Sequence, residues 1–163
     1  MKSIVLFVII CIFIAAFISQ KLKDTTHSTK QQHISYKTLK LNKAKDELSK
    51  IHTTQYTKQY IIDVINNGSK ILNFKGGIME GGFASKEDAP KIACYVMTLS
   101  HKKCQDEDIS NAPMFYSSIC AGCHGNDGKG LNGSYPDLTK PTLLGIQKRE
   151  EELKRILKIT SEN

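Results

Sequence analysis

The sequence lacks a second Cys-x-x-Cys pair: of its five cysteines, only Cys120 and Cys123 have this spacing. A structural zinc site would need a second pair of ligands, and Cys11, Cys94 and Cys104 do not supply a second Cys-x-x-Cys. The strand–helix context of a thioredoxin-like redox centre is also missing. The sequence therefore disfavours both of these uses of the pair.

The chain also lacks the marks of a nucleic-acid-binding protein, although its formal net charge is +7. The lysines are spread along the sequence, without interleaved aromatic residues and without a recognised nucleic-acid motif. We interpret them as a solvated basic surface that would speed the encounter with an acidic partner. We expect no nucleic-acid partner.

The Cys-x-x-Cys pair is followed directly by a histidine, which gives Cys120-Ala-Gly-Cys-His124. A Cys-x-x-Cys-His run is the attachment signature of c-type haem. Two thiols on one helical turn can form thioethers with the two vinyl groups of the porphyrin, and the next side chain can reach the iron. The sequence therefore predicts one covalent haem c, bound through Cys120 and Cys123, with His124 as an iron ligand.

The N-terminus predicts a membrane segment. Residues 4–18 are an unbroken apolar run, which is short for a membrane span but fits either an uncleaved anchor or an export signal. No small, polar cleavage region follows, so we favour an anchor over residues 1–20. Residues 21–56 are predicted as a polar tether and a basic amphipathic helix. The apolar face of that helix would consist of Leu41, Ala44, Leu48 and Ile51.

Apolar spacing predicts helices on both sides of the haem motif, so the expected fold class is all-α. A helix over 57–68 is followed by a glycine-rich loop. A second helix, capped by Ser85 or Asp88, ends near Ser100. A third helix carries the haem motif, and a fourth covers 150–159.

Residues 57–100 resemble the C-terminal half of a class I cytochrome c. The similarity consists of a helix, a glycine-rich loop around a methionine, and a closing helix that ends Ala93-Cys-Tyr-Val-Met-Thr-Leu-Ser100. This resemblance implies that Met79 is the second iron ligand, opposite His124. The alternative is that Met79 is an ordinary loop or core methionine.

Residues 111–163 resemble the N-terminal half of the same family. The run Gly133-Ser-Tyr-Pro-Asp-Leu138 is similar to the turn in which a proline carbonyl accepts the second ring proton of the histidine ligand. The resemblance implies that Pro136 has this role. It also implies that an aromatic residue, Phe115 or Tyr116, packs on the closing helix.

The two half-modules stand in reversed order, because no methionine follows His124 and no Cys-x-x-Cys-His precedes Met79. The sequence resembles the membrane-anchored dihaem subunit of cytochrome-cbb-type terminal oxidases. Either the halves complete each other as a circularly permuted cytochrome c-like domain, or each is an incomplete remnant. Ten residues on a continuous helix span about 15 Å, so Cys94 and Cys104 are expected as free thiols unless the chain turns after Ser100.

The predicted function is single-electron transfer in the respiratory chain, with no enzyme activity of its own. The expected partner is a redox protein or a terminal oxidase complex. The resemblance implies a bacterial protein of the cytoplasmic membrane, single-pass, with its soluble part in the periplasm. Two alternatives stay open: a haem-bearing sensor or assembly subunit with an open sixth iron site, and a truncated, non-functional remnant.

Overall fold

A computed structural model describes residues 14, 17, 18, 36–69, 74–104 and 108–161 of the chain, with side chains to residue 159. The chain forms two compact units, Met1–Lys43 and Ala44–Asn163. Most of the predicted anchor and tether, together with Cys11, lies outside the described residues. Within the described ranges, no helix combines the length and hydropathy of a membrane span. The boundaries predicted near residues 20, 56 and 100 remain predictions.

The described residues are helical, which confirms the all-α class. The helices are, in chain order, α1 over 36–50, α2 over Thr54–Asn67, α3 over Ala89–Leu99, α4 over Ala112–Phe115, α5 over Ala121–His124 and α6 over Leu144–Ser161. A π-helical turn, Tyr116–Cys120, joins α4 to α5, and a short 3-10 turn, Leu131–Gly133, precedes α6. The described ranges contain no β-strand, only an isolated antiparallel bridge between Ser69 and Met79.

One hydrophobic core of the second unit takes side chains from both sides of the haem motif. Burial of each large aliphatic side chain contributes roughly 1.5–3 kcal/mol, so this shared core favours association of the two halves. Its buried members are Ala44, Ile51, Ile61, Ile65, Ala89, Ile92, Ala93, Val96, Met97, Tyr116, Leu143, Ile146 and Leu153. The predicted amphipathic helix belongs to this core through Ala44 and Ile51, with Leu48 packed against it.

Side chains outside the aliphatic core connect α6 with α1, α2 with α1, and α3 with the π-helical turn. Arg149 of α6 donates to both carboxylate oxygens of Glu47 in α1, at 2.8 and 2.7 Å. The Tyr56 hydroxyl of α2 donates to the same carboxylate at 2.8 Å. The rings of Tyr95 in α3 and Tyr116 lie 5.2 Å apart, so Tyr116 is the aromatic residue that meets the closing helix.

Helix ends follow the sequence signals closely for α2. The Thr53 hydroxyl accepts a hydrogen bond from the Tyr56 N–H at 3.2 Å, which starts the helix three residues before the predicted position. The helix ends before Gly68, whose φ of 76° favours glycine. The predicted end of this helix is thus confirmed to within one residue.

The expectation of free thiols at Cys94 and Cys104 is wrong, because the two residues form a disulfide with their Cα atoms 5.3 Å apart. Helix α3 ends in a Schellman motif, in which the Lys102 N–H donates to the Met97 carbonyl and the His101 N–H to the Thr98 carbonyl, both at 3.0 Å. His101 takes the left-handed conformation with a φ of 60°. The chain therefore reverses after Ser100 and returns Cys104 to the side of α3.

Helix α6 begins at Leu144, six residues before its predicted start. A Cβ atom at position 145 would overlap the Tyr60 hydroxyl, so Gly145 permits the close approach of α6 to α2. Within α6, Glu150 and Lys154 form an ion pair at 2.5 Å, and Glu151 contacts Lys148 at 3.1 Å. The early start of α6 brings its first turn to the functional site described below.

Candidate haem-binding site

The Cys-x-x-Cys-His motif lies at the end of a bent helical segment. The chain runs from α4 through the π-helical turn Tyr116–Cys120 into α5, which ends at His124. Single π turns inside helices occur frequently at functional sites. Below this turn, the buried Tyr116 hydroxyl donates to the Gly125 carbonyl at 2.9 Å, which ties the start of the segment to the residue after His124.

Both cysteines of the motif have free thiols. Cys120 is half-buried and Cys123 is exposed. Burial and, to a smaller extent, the nearby Cys123 raise the pKa of the Cys120 thiol to about 11. At neutral pH the Cys120 side chain is therefore a thiol rather than a thiolate.

The His124 imidazole is buried and oriented through one ring nitrogen. Its Nδ1 lies 3.1 Å from the Pro136 carbonyl oxygen, which can only accept a hydrogen bond, so Nδ1 carries the proton. The lone pair of Nε2 is then free. Burial lowers the pKa of His124 below its usual value, against a smaller opposing effect of the Pro136 hydrogen bond, and so favours the neutral ring.

Backbone hydrogen bonds hold Pro136 in position. The Gly130 N–H donates to the His124 carbonyl at 2.8 Å, and the Leu138 N–H donates to the Gly128 carbonyl at 2.7 Å. Gly130 has a φ of 78°, and a Cβ atom there would meet the carbonyls of Tyr135 and Pro136. The sequence Gly-Lys-Gly therefore lets the loop fold back over the histidine.

The motif opens into a cavity of about 300 Å³, which is within the range of ligand pockets. Its walls come from α2, the loop around Met79, α3, the motif segment, the loop of Pro136 and the start of α6. Most of the lining side chains are apolar. Cys120, Cys123, His124, Pro136 and Met79 all contribute to the walls.

The loop of Met79 is attached to the rest of the site at three points. Ser69 and Met79 exchange two backbone hydrogen bonds, of 2.7 and 3.2 Å. The Gly82 N–H donates to the Ile65 carbonyl of α2 at 2.9 Å. The Gly76 N–H donates at 3.0 Å to the Ser134 carbonyl, which lies in the loop of Pro136. The third bond connects the loop of Met79 directly with the loop on the histidine side.

The residues present fit a covalently bound haem. Two unpaired thiols and an imidazole with a free Nε2 stand in one wall region, and a thioether lies in the wall of the same cavity. One buried polar atom in this wall, the Ser69 hydroxyl, has no hydrogen-bond partner within the described residues.

The structure thus places all five predicted site residues in the wall of one cavity: Met79, Cys120, Cys123, His124 and Pro136. The Pro136 carbonyl stands at the His124 ring as the resemblance implied, while iron ligation by His124 and Met79 remains a prediction. Sequence reasoning missed Ser69 and the Tyr116 hydroxyl bond. Position alone gives a signal for Tyr116, four residues before Cys120, whereas no sequence signal marks Ser69.

Comparison with known proteins gives matches to a subunit of a bacterial terminal oxidase. Over 75 residues, the chain is 41% identical to the Cbb3-type cytochrome c oxidase subunit CcoP of Helicobacter pylori strain ATCC 700392 / 26695, and equally to that of strain 52. The match covers 44% of this chain and 26% of each relative. The chain thus spans about a quarter of the length of the curated relatives that it matches. No family model and no solved structure matches the chain.

The match supports the resemblance to a cbb-type oxidase subunit over the part of the chain that it covers. It does not bear on the reversed order of the two half-modules.

Proposed function

We propose that this chain is a c-type cytochrome that carries single electrons through one covalently bound haem. The observation that supports the proposal is that His124 and Met79, from the two half-modules, line one cavity together with Cys120 and Cys123. In this proposal the halves complete each other as a circularly permuted cytochrome c-like domain. The shared core and the bond from Gly76 to Ser134 favour this arrangement over two incomplete remnants.

Cys120 and Cys123 would attach the haem. Each thiol would hold the haem through a thioether, formed by addition of its S–H across one vinyl double bond, so that no group would leave. The free state of both sulfurs and their place in the cavity wall support this role. When bound, the haem supplies an iron centre that gains or loses one electron.

His124 would bind the iron through Nε2. The Pro136 carbonyl fixes the Nδ1–H tautomer and the ring orientation, and a hydrogen bond of this kind makes the imidazole a stronger electron donor. The lowered pKa of His124 keeps the ring neutral, which is the form that binds metals.

Met79 would bind the iron on the other face. A thioether ligand opposite histidine raises the reduction potential of a haem relative to histidine alone. The pair of backbone bonds with Ser69 fixes where the side chain of Met79 begins. Because the walls are mostly apolar, water is largely excluded from the ligands, which also favours the reduced iron.

The name of the relatives supports a terminal oxidase complex as the place of action. We propose that the chain transfers electrons to or within such a complex, at the periplasmic face of a bacterial cytoplasmic membrane, with residues 1–20 as a single-pass anchor. The net charge of +7 would favour an acidic redox partner, and the association rate would then fall as salt rises.

Expression in a bacterium that matures c-type cytochromes tests this proposal. The wild-type chain should give a haem-stained band on a denaturing gel, and the double variant Cys120→Ala/Cys123→Ala should not. In the oxidised wild type we expect a sulfur-to-iron charge-transfer band. Met79→Ala should remove it, while Met114→Ala, at an exposed methionine outside the cavity lining, should retain it.

Two results would contradict the proposal. Rapid carbon monoxide binding by the reduced wild type would indicate an open sixth site, as in a sensor or assembly subunit. A wild-type chain without haem stain would indicate a non-functional remnant.

A further inference from the structure

The first two turns of α1, residues 36–43, form an exposed helical segment, which we call the leading turns. Every residue of this segment is exposed except Leu41, which is half-buried. Two of the exposed residues are large and apolar, because Tyr36 is 67% exposed and Leu39 is 53% exposed. Along the described chain, the hydrophobic core takes its first buried side chain from Ala44. The leading turns therefore present apolar side chains outward.

Apolar and basic side chains share one face of the leading turns. Tyr36, Leu39, Lys40 and Lys43 have the spacing i, i+3, i+4 and i+7, which places them on one side of a helix. A tyrosine ring is apolar in its body and polar at its tip, and a lysine has an apolar stem below its charge. Such a face can contact hydrocarbon and negative charge at the same time.

The sequence around the leading turns is basic. No acidic residue occurs between Asp24 and Asp46. This interval contains five lysines, namely Lys30, Lys37, Lys40, Lys43 and Lys45. A segment of this composition is attracted to an anionic surface, and the attraction falls off within a Debye length.

The mixed face ends with the leading turns. In the next turn of α1, Asp46 pairs with Lys50 at 2.7 Å, and the Glu47 carboxylate pairs with Arg149 at 2.7 Å. Two carboxylates in this turn would weaken the attraction to negative charge. The surface that we consider for docking therefore comprises residues 36–43 alone.

The proposed anchor would keep the leading turns close to the membrane. Residues 21–35 connect the anchor over residues 1–20 with the start of α1, and a chain of this length spans at most about 50 Å when fully extended. A site tethered within this distance meets the lipid surface at a high effective concentration. A weak affinity for lipid would then be enough for docking.

We infer that the leading turns dock on an anionic phospholipid surface. Tyr36 and Leu39 would lie at the level of the headgroups, and Lys40 and Lys43 would contact lipid phosphates. Lysine is depleted at interfaces between proteins, whereas tyrosine and lysine are both typical of membrane surfaces, so the composition favours lipid over an acidic protein. The inference rests on the proposed membrane location and deepens it by assigning a second contact with lipid.

A tryptophan reporter tests the inference, because the chain contains no tryptophan. The full-length, haem-loaded Tyr36→Trp variant is reconstituted into vesicles of phosphatidylcholine alone or of phosphatidylcholine with phosphatidylglycerol. With phosphatidylglycerol we expect emission at shorter wavelength and weaker quenching by acrylamide, and added salt should reduce both effects. Met114→Trp is the control, because Met114 is exposed in the second unit and should give the same emission in both lipids.

Charge variants in the Tyr36→Trp background test the role of the lysines. Lys40→Gln/Lys43→Gln should lower the ratio of docked to undocked chain by roughly tenfold or more in vesicles with phosphatidylglycerol. Lys86→Gln/Lys103→Gln removes the same charge from two exposed lysines of the second unit and should leave the ratio unchanged. Equal losses in the two double variants would overturn the inference.

Three results with the Tyr36→Trp reporter would also overturn the inference. Equal emission in the two kinds of vesicle would mean that anionic lipid does not bind the leading turns. A shift that occurs in both lipids and is insensitive to salt would mean that charge plays no part. A shift that requires an added acidic redox protein would assign the surface to a protein partner.

Failure of the proposed function gives different results. A chain without haem stain refutes the cytochrome, and a chain that does not float with the vesicles refutes the anchor. A stained chain that floats with both kinds of vesicle, but whose reporter does not respond to phosphatidylglycerol, refutes only the docking of the leading turns.

Discussion

The two sides of the cavity are built differently. On the histidine side, His124 is 8% exposed and stands at the end of a helix, and a network of backbone bonds presses Pro136 against its ring. On the methionine side, the loop is attached by a few backbone bonds, and its Ile78 and Phe83 are 53% and 52% exposed. Regions with few buried contacts open first, so we expect the Met79 side to yield before the His124 side.

Gly130→Ala should have the largest effect on stability, because Gly130 belongs to the well-packed His124 side of the cavity. Adding a Cβ atom at a φ of 78° costs roughly 1–2 kcal/mol in backbone strain, and overlap with the carbonyls of Tyr135 and Pro136 adds to it. We expect a loss of at least about 3 kcal/mol in unfolding free energy and a lower yield of haem-stained protein. Urea unfolding of the holoprotein measures the loss.

Gly133→Ala is the matched control, because Gly133 also has a positive φ, of 80°, but a Cβ atom there meets nothing within 4 Å. It should lose only the backbone strain, roughly 1–2 kcal/mol. Equal losses in the two variants would show that the contact of Gly130 with the Pro136 loop is unimportant.

Breaking the Cys94–Cys104 disulfide should have the second-largest effect on stability, because it removes a covalent link near the connection between the two halves. Closing a loop of this size stabilises a protein by about 2–3 kcal/mol in the chain-entropy description. We expect Cys104→Ala to lower the urea midpoint, and a reducing agent to lower the midpoint of the wild type to the same value. Alkylation of Cys94 and Cys104 in unreduced, denatured wild type would contradict the bond.

Gly81→Ala tests the loosely attached side. The added Cβ atom would overlap the backbone of Asn66 and Asn67 at the end of α2, and overpacking of this kind typically costs about 1–3 kcal/mol. The loop of Met79 should detach more readily, so the sulfur-to-iron band should disappear at a lower urea concentration than in the wild type. Global unfolding should move less than the band does.

Gly122→Ala is the control for Gly81→Ala, because it adds the same methyl group on the histidine side, where nothing lies within 4 Å. In a helix this change should be neutral or stabilising by about 0.5–1 kcal/mol. If the sulfur-to-iron band disappeared at the same urea concentration in Gly122→Ala as in Gly81→Ala, the contrast between the two sides would be wrong.

Tyr116→Phe should have a smaller effect on the firm side. It removes the hydrogen bond to the Gly125 carbonyl, worth about 1 kcal/mol, and retains the ring that packs against Tyr95. Urea unfolding should detect the loss. Tyr116→Leu, which also removes the ring contact, should lose more, and equal losses would assign the whole effect to the hydroxyl.

Glu47→Gln should have the smallest effect and a distinct pH dependence. Hydrogen bonds from Arg149 hold the pKa of Glu47 below its usual value of 4.5. The stability from this carboxylate is therefore present above pH 4.5 and is lost as the pH falls through the lower, folded-state pKa. Because the pair is partly exposed, we expect a difference below about 1 kcal/mol.

Thermal unfolding at neutral pH and at pH values below 4.5 measures this difference between Glu47→Gln and the wild type, which should shrink in acid. Asp46→Asn is the control, because the Asp46–Lys50 pair is exposed and joins residues of one helix. A Glu47 effect no larger than that of Asp46 would mean that the link between α1 and α6 adds nothing to the stability of the fold.

The sequence was informative where one local pattern decides the structure. The end of α2 at Gly68 and the contact of the Pro136 carbonyl with the His124 ring each depend on a few neighbouring residues, and both are seen in the structure. The disulfide could not be predicted, because the reversal at His101 uses a left-handed conformation that usually falls on glycine.

Other features depend on contacts between distant segments. The first turn of α6 contains Gly145, which lies against Tyr60 of α2. The need for glycine at this position follows from that contact, which the sequence does not show. The bridge between Ser69 and Met79 forms because the loop of Met79 returns to the end of α2, a pairing that spacing along the chain does not encode.

The π-helical turn Tyr116–Cys120 sets the angular phase between two parts of one helical segment. Each residue of an α-helix advances side chains by about 100° around the axis, so one residue more or less in a turn rotates everything beyond it by that angle. Tyr116, Cys120 and His124, on this turn and just beyond it, all line the cavity, and Tyr116 also belongs to the core. A single-residue deletion between Tyr116 and Cys120 would rotate Cys120, Cys123 and His124 by about 100° relative to Tyr116 and so turn them from the cavity that they line.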